Sequence, residues 1–347
     1  MTRNKTKGEV LSSEIIDLQA ENLKQSYDEI SKNTFATELL LGLSAQPKHI
    51  PSKYFYDDLG SRLFQQIMAL PEYYLTDCET QILKSHASDI VSKLGDGPVN
   101  IVELGAGDGS KTKLILQSFF EKNIPITYYP LDISKDALSQ LIQAFGKEFD
   151  HLKIKGIQSD YEEGVRWISK HNSQKNLILF LGSNIGNMLL KDAKTFLRKL
   201  WKSLNHEDEV IIGFDLKKDI SLLLPAYNDS QGITRDFNLN LLKHVNERLG
   251  ANFNVEDFRH YGTYDAERGA MVSYLISQKS QEVHIANLNK TFSFLPFEPI
   301  QVEFSYKFLI EEIEAISEQT GFRIEAEWYD EKGWFVDVLL SVQKNKK

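Results

Sequence analysis

Asn100-Ile-Val-Glu-Leu-Gly-Ala-Gly-Asp-Gly-Ser-Lys111 decides the fold. Apolar Ile101, Val102 and Leu104 read as a buried strand. Gly105, Gly107 and Gly109 follow, and Lys111 opens an apolar helical pattern. Glycines at a strand-to-helix turn let the backbone approach a ligand closely, because no Cβ stands in the way. Nicotinamide-binding folds use such a turn for a pyrophosphate, with glycines spaced G-x-G-x-x-G. Here the spacing is G-x-G-x-G, and Glu103 sits two residues before the first glycine. A carboxylate there repels a pyrophosphate and suits a ligand that carries an ammonium group. Tight packing of strand on helix needs the same glycines, so the surrounding pattern has to decide.

Outward from the turn, strands and helices alternate, which predicts a parallel, doubly wound sheet. Strands are expected at 99–104, 126–131, 152–157, 177–181 and 209–214, and helices at 111–122, 134–149, 162–171 and 191–204. Ser134 is placed to cap the second helix, and Glu79 to Leu94 reads as a helix leading in. After Leu216 the alternation stops for residues 217–307, which carry a helical segment from Thr234 to Leu249 and strand-like segments at 271–276, 283–286 and 301–306. It resumes with a helix over 308–320 and strands over 322–327 and 334–342. The tight link Asp330-Glu-Lys-Gly333 makes the last two a hairpin. A terminal antiparallel hairpin is foreign to nicotinamide-binding folds. Hairpin and glycine turn together resemble the class I S-adenosylmethionine (SAM)-dependent methyltransferases. That resemblance implies a Rossmann-like α/β fold with a seven-stranded sheet.

Residues 1–24 are polar and are expected to form a tail. Between Ser12 and Leu41, Ile15, Ile16, Leu18, Leu23 and Leu39 to Leu41 recur with helical spacing, so one or two helices are expected before any strand. Pro51-Ser-Lys-Tyr-Phe-Tyr-Asp-Asp-Leu-Gly60 and Leu70-Pro-Glu-Tyr-Tyr-Leu-Thr76 bracket a short helix, 61–68. They bring Tyr54, Tyr56, Tyr73 and Tyr74 together, either as a clamp on the N-terminal arm or as phenols lining a pocket. The 347 residues suffice for one large domain or two modest ones, with 41% hydrophobic and 26% charged residues, as in a soluble globular chain. No apolar run approaches ~20 residues, so no membrane span is expected, and the polar start lacks the apolar core of a signal peptide. A single cysteine, Cys78, excludes an internal disulfide and a cysteine-built zinc site. No metal is expected. The cytoplasm is the expected compartment and a monomer the expected form. A formal charge of −9 argues against a nucleic-acid partner, and Lys344-Asn-Lys-Lys347 reads as a solvated tail.

Ligands of open α/β sheets lie beyond the carboxyl ends of the strands, and four such ends carry candidate chemistry. The first is the glycine turn with Lys111. At the second, Pro130-Leu-Asp-Ile-Ser134, Asp132 can accept both ribose hydroxyls of a nucleoside, or serve as a charge at a helix start. At the third, Gln158-Ser-Asp-Tyr-Glu162, Asp160 can accept an adenine amine while Tyr161 packs on the ring, or can simply start the helix. The fourth, Phe180-Leu-Gly-Ser-Asn-Ile-Gly-Asn-Met188, lacks the prolines of the DNA-base amino-methyltransferases, which sets a flipped base aside. Its glycines and amides suit a small polar substrate.

A closer resemblance rests on motifs met in order. They are Tyr54-Phe-Tyr-Asp-Asp-Leu-Gly60, Leu70-Pro-Glu-Tyr-Tyr74, Val102-Glu-Leu-Gly-Ala-Gly107, Phe180 to Asn187, Ala226-Tyr-Asn-Asp229 with Gly232-Ile-Thr234, and Phe237-Asn-Leu-Asn240. From about Thr37 to Val342 the chain is similar to the histidine-specific SAM-dependent methyltransferases. The resemblance implies trimethylation of the α-amino group of L-histidine to hercynine, the first step of ergothioneine synthesis, with S-adenosylhomocysteine as the second product. It implies SAM contacts at Gly105, Lys111 (on the methionine carboxylate), Asp132, Asp160 and Tyr161, and contacts to the substrate's main-chain end at Tyr73, Asn187 and Tyr227. It assigns the imidazole to Glu303, Phe304 and Ser305. Glu303 and Ser305 share one face of a strand, where a carboxylate and a hydroxyl can bond both ring nitrogens. Asn187, Tyr73 and Tyr56 are expected to orient the reacting nitrogen rather than react. Residues 77–216 with 308–347 are expected to form the SAM domain, and 25–76 with 217–307 a substrate-binding lobe. The rival readings are methyl transfer to another amino acid, such as a tryptophan derivative, and a non-catalytic SAM-binding module.

Overall fold

The computed structural model describes residues 13–18, 27–149 and 151–344; residues 1–12, Leu23 and the basic end at 345–347 lie outside them. The chain opens with β1 (Glu14–Asp17), α1 (Tyr27–Ser44), β2 (Lys48–His49), α2 (Asp58–Met68) and α3 (Tyr74–Leu94). The alternation follows as β3 (Val99–Leu104), α4 (Ser110–Glu121), β4 (Ile126–Asp132), α5 (Lys135–Glu148), β5 (Lys153–Gln158), α6 (Tyr161–His171), β6 (Lys175–Phe180), α7 (Leu190–Ser203) and β7 (Glu209–Asp215). Next come α8 (Ile220–Tyr227), α9 (Ile233–Leu249), β8 (Phe258–Asp265), β9 (Ala270–Ser277), β10 (Gln281–Ile285), β11 (Lys290–Phe294) and β12 (Pro299–Tyr306). The chain then closes through α10 (Ile310–Thr320), β13 (Phe322–Tyr329) and β14 (Phe335–Val342). Ser134 caps α5 as expected, its hydroxyl accepting from the Ala137 backbone N–H at 3.2 Å.

The large sheet runs β1-β5-β4-β3-β6-β7-β14-β13. Its strands are parallel from β1 to β7, and β14 lies antiparallel between β7 and β13. This is the class I methyltransferase arrangement, terminal hairpin included. The chain leaves β3 toward β4 on one side and reaches β6 on the other, which opens a crevice at the carboxyl ends of β3 and β6. Helices α3, α4 and α5 bury Leu83, Ile115 and Phe145 on one face, and α6, α7 and α10 bury Val165, Leu197 and Ile313 on the other.

One expectation fails at the edge. Among the described residues a strand, β1, precedes any helix and makes the sheet eight-stranded, pairing Glu14 to Asp17 with Lys155 to Gln158. Residues 14–17 are therefore not tail. Adjacent Ile15 and Ile16 point to opposite sheet faces, each packing on the core of its own side, and two neighbouring β-branched residues suit a strand buried on both faces.

The inserted segment builds a second sheet, β2-β12-β9-β8, with β10 and β11 as a separate ribbon. Phe35 and Leu39 of α1, Ile67 of α2 and Phe237 and Leu241 of α9 form a third core with Leu275 and Ile300 of that sheet. Ala270, Val272, Phe304 and Tyr306 turn the other way and join the core of the large sheet. Between Gln301 and Glu303 the pairing with β9 slips by one residue, a bulge at Val302. Such a bulge bends a strand and re-aims the side chains that follow it. Among the described residues no helix is long and apolar enough to cross a membrane.

Candidate active site

At the crevice, Gly105 and Gly107 both adopt left-handed backbone angles, φ 74° and 54°. A Cβ on Gly105 would lie 2.6 Å from the Tyr161 hydroxyl, whereas one on Gly107 would meet nothing within 4 Å. The first glycine packs the turn and the second leaves open space beside the backbone. Glu103 does not face that space. Its carboxylate turns toward α4, accepts from Thr112 and Tyr128, and is pushed up to about 7 by burial. Asp132 ends β4, where its Oδ1 accepts the Ser134 backbone N–H at 2.8 Å and burial raises its carboxyl. Asp160 caps α6 by accepting the Glu163 N–H at 2.9 Å. Tyr161 stands edge-on to Phe180, centroids 5.9 Å apart, and with Asp160 it lines a cleft against Phe196 and Lys199 of α7.

Lys111 reaches from α4 to an ion pair with Glu79 of α3. Glu79 is fully buried and also accepts the Gly182 backbone N–H, at 2.8 and 2.9 Å on its two oxygens. Asp337 of β14 is buried beside it, and burial, then the Glu79 charge, raises the Asp337 carboxyl far above its usual range. A second buried acid thus backs the Lys111–Glu79 pair.

Opposite this wall, β12 lies across the carboxyl ends of β6 and β7. A Cβ on Gly186, in the turn after β6, would stand 2.8 Å from the Tyr306 carbonyl oxygen. Asn187 follows in the same turn, exposed. Glu303 accepts from Ser273 of β9 at 2.8 Å. Burial raises the Glu303 carboxyl, with Lys307 acting in the opposite direction. Tyr56, Tyr73 and Tyr227 all lie near enough to Glu303 to feel its charge: burial raises each phenol first, and the Glu303 carboxylate adds to it, behind Asp215 at Tyr227 and behind the neighbouring phenols at Tyr73. Tyr56 is 46% exposed, on its open side. Tyr73 packs on the core of the large sheet and on that of the second sheet.

Ser305 lies on the same face as Glu303, but Phe304 does not. Phe304 stacks on Tyr306 in the core of the large sheet, as strand alternation demands. The expected trio is therefore a pair. Nor is Tyr227 free for the substrate's main-chain end alone, because its hydroxyl bonds Ser305 Oγ at 2.8 Å. Beneath both lies Lys307, with no exposed side-chain surface, 2.7 Å from Tyr227 Oη, 2.9 Å from Ser305 Oγ and 2.7 Å from Asp215 Oδ2. Asp215 also pairs with Lys218 and accepts from the Tyr74 hydroxyl. Sequence reasoning misses Lys307, although it continues the alternation of Glu303 and Ser305 one residue past the end of β12. It also misses Glu79, an acid in the apolar stripe of Leu75, Cys78, Ile82 and Leu83. Ser273 carries no signal of its own, since only the pairing of β9 with β12 brings it to Glu303.

The sequence model of a family described as "Histidine-specific methyltransferase, SAM-dependent" matches residues 35–342. The chain belongs to that family. A histidine N-alpha-methyltransferase of Mycolicibacterium smegmatis is 34% identical to this methyltransferase over 294 residues, 85% of this chain and 90% of that one. Ergothioneine biosynthesis protein 1 of Schizosaccharomyces pombe is 34% identical over 283 residues, 79% of this chain but 36% of that longer one. The L-tryptophan methyltransferase trpM of Psilocybe serbica is 28% identical over 336 residues, covering 88% and 92%. The methyltransferase uses SAM, and the donor set at the crevice fits it: open space beside Gly107 and carboxylates at the ends of β4 and β5, with an ammonium from α4.

Proposed function

We propose that this methyltransferase methylates the α-amino nitrogen of L-histidine, three times in succession, to give hercynine, the first step of ergothioneine synthesis. The observation that carries this reading is the pair Glu303 and Ser305 on one face of β12, beside the tyrosines at the sheet's carboxyl edge. The pair holds the imidazole, while Asn187, Tyr73 and Tyr227 hold the amino and carboxylate end. Residues 25–76 and 217–307 act as one substrate lobe, supported by the core that α1, α2 and α9 share with the second sheet; 77–216 and 308–347 hold the cofactor through Gly105, Lys111, Asp132, Asp160 and Tyr161.

SAM, when bound, supplies an electrophilic methyl on a sulfonium and leaves as S-adenosylhomocysteine. The site must hold a neutral amine within roughly 3–3.5 Å of that methyl and in line with the breaking bond. Tyr56 and Tyr73, raised by burial, keep their protons at neutral pH, so they orient the nitrogen rather than accept its proton, which leaves to water. Mono- and dimethylated amines stay nucleophilic, so three rounds require only room.

A methyl-transfer assay over a panel of amino acids, with products weighed by mass spectrometry, tests the reading. Histidine should gain three methyl groups and be turned over best. Preference for tryptophan or another amino acid would replace the substrate, and no transfer to any would make the chain a binding module. For the cofactor, Asp132→Ala removes charge-assisted bonds worth ~1.5–3 kcal/mol each. SAM affinity measured by calorimetry should fall at least tenfold; unchanged affinity in a folded variant would take Asp132 out of the site.

A further inference from the structure

We infer that the site admits the histidine ring only as neutral imidazole, and that Lys307, buried beneath Ser305, is the positioning residue that imposes this. The inference rests on the histidine reading above and adds the protonation state of the ring and the group that selects it.

Lys307 gives one proton each to Asp215 Oδ2, Tyr227 Oη and Ser305 Oγ, at 2.7, 2.7 and 2.9 Å. An ammonium only donates, so both hydroxyl oxygens accept from it. The two hydroxyls are also 2.8 Å apart, so one must donate to the other. The bond runs from the Tyr227 hydroxyl to Ser305 Oγ, a phenol being the better donor and an alkanol oxygen the better acceptor. Ser305 Oγ then accepts twice, which fills both its lone pairs. It has only its own proton left to offer. Ser305 is 4% exposed, at the floor of the site.

Glu303 completes the selection. Its Oε2 accepts from Ser273, and as a carboxylate it can only accept from a ligand. A ring thus meets one donor and one acceptor, which is what a neutral imidazole requires: a bare nitrogen toward Ser305 and an N–H toward Glu303. An imidazolium presents two N–H groups, and the second would face an oxygen with no lone pair free. The groups around the ring position are Glu303 and Ser273 from the second sheet, Tyr227 from α8, Tyr56, Tyr73 and Tyr74 from the N-terminal segments, Tyr161 from α6, and Asp215 with Lys218 and Lys307 below. With the phenols neutral, Asp215 and Glu303 balance the two lysines, so it is the hydrogen-bond pattern at Ser305 that opposes an imidazolium.

The test compares kcat/KM for histidine with that for 2-fluorohistidine, whose fluorine keeps the ring neutral across the range. Both substrates carry the same α-amino group and need the same Glu303, so the titration of those groups divides out of the ratio. A free imidazole with a pKa of about 6.5 is roughly 90% neutral at pH 7.5 and roughly 10% neutral at pH 5.5. The ratio should therefore fall about tenfold between those two values. In Lys307→Met a lone pair of Ser305 becomes free for the second N–H, and the fall should flatten. Tyr227→Phe frees a lone pair by another route and should also flatten it, which keeps the test intact if the lysine variant does not fold. A flat ratio in the unaltered enzyme overturns the inference while leaving histidine as substrate. An undiminished fall in whichever variants fold overturns the part given to Lys307, and no turnover of histidine at any pH overturns the substrate reading together with it.

Discussion

Replacing Glu303 with leucine and Ser305 with alanine together should lower the kcat/KM ratio of histidine over tryptophan by a factor of about 10³ or more, because a site built to hydrogen-bond its substrate rejects an analogue lacking the bond by 10⁴–10⁵. Every amino acid offers the amino and carboxylate groups that Asn187, Tyr73 and Tyr227 would hold. Discrimination has to come from the side-chain end, where a bulky apolar ring now leaves Glu303 and the Ser305 hydroxyl unpaired. Once both are gone, an indole no longer strands a buried carboxylate. Turnover on histidine should drop with the first substitution alone, and tryptophan should gain only with the second. SAM affinity should barely move, since Gly105, Lys111 and Asp132 stand on the opposite wall. A ratio that stays put in a folded double variant would mean that the pair on β12 does not read the substrate.

The second large effect lies under the site. Asp215 is the carboxylate between two buried lysines, Lys307 and Lys218, whose side chains are 0% and 5% exposed. Asp215→Asn keeps the shape and removes the charge, leaving two ammonium groups without a counter-ion at a cost of about 3–5 kcal/mol. The half-exposed pair Lys113–Glu148, 28% and 42% exposed, serves as the control, since Glu148→Ala should cost no more than about 1 kcal/mol. Urea unfolding of the two variants gives the comparison directly, and equal midpoints would show that Asp215 does not hold the lysines in place. The pH dependence has a definite sign. Burial lowers Lys218 below its ordinary value, and losing Asp215 lowers it further. Between the lowered folded-state value of Lys218 and about pH 10.4 the unfolded variant then binds more protons than the folded one, so its stability should rise with pH over that window.

The large sheet is legible in the sequence because its strands are buried on both faces. β3, β7 and β14 are buried at every residue, and such strands read as apolar runs between helices. The strand ends that carry Asp132 and Asp160 are legible for the same reason, as breaks where an apolar run meets an acid. The second sheet is harder. Two-residue β2 is too short to leave a pattern, and the bulge at Val302 interrupts the alternation just where Glu303 is aimed. The residues that escape entirely are buried and ionisable. Lys307, Glu79 and Asp337 look like ordinary surface residues until their partners arrive from other elements, and those partners lie far away in sequence.

The pairing of β1 with β5 has a consequence for the order of events during synthesis. Glu14 meets Lys155 across about 140 residues. At ribosomal rates of 5–20 residues per second, β1 therefore leaves the ribosome on the order of ten seconds before its partner does. Everything from α1 to α5 emerges in the interval. The four residues of β1 cannot nucleate the sheet and must wait for it, so one edge of the large sheet is finished by the strand that was made before all its others.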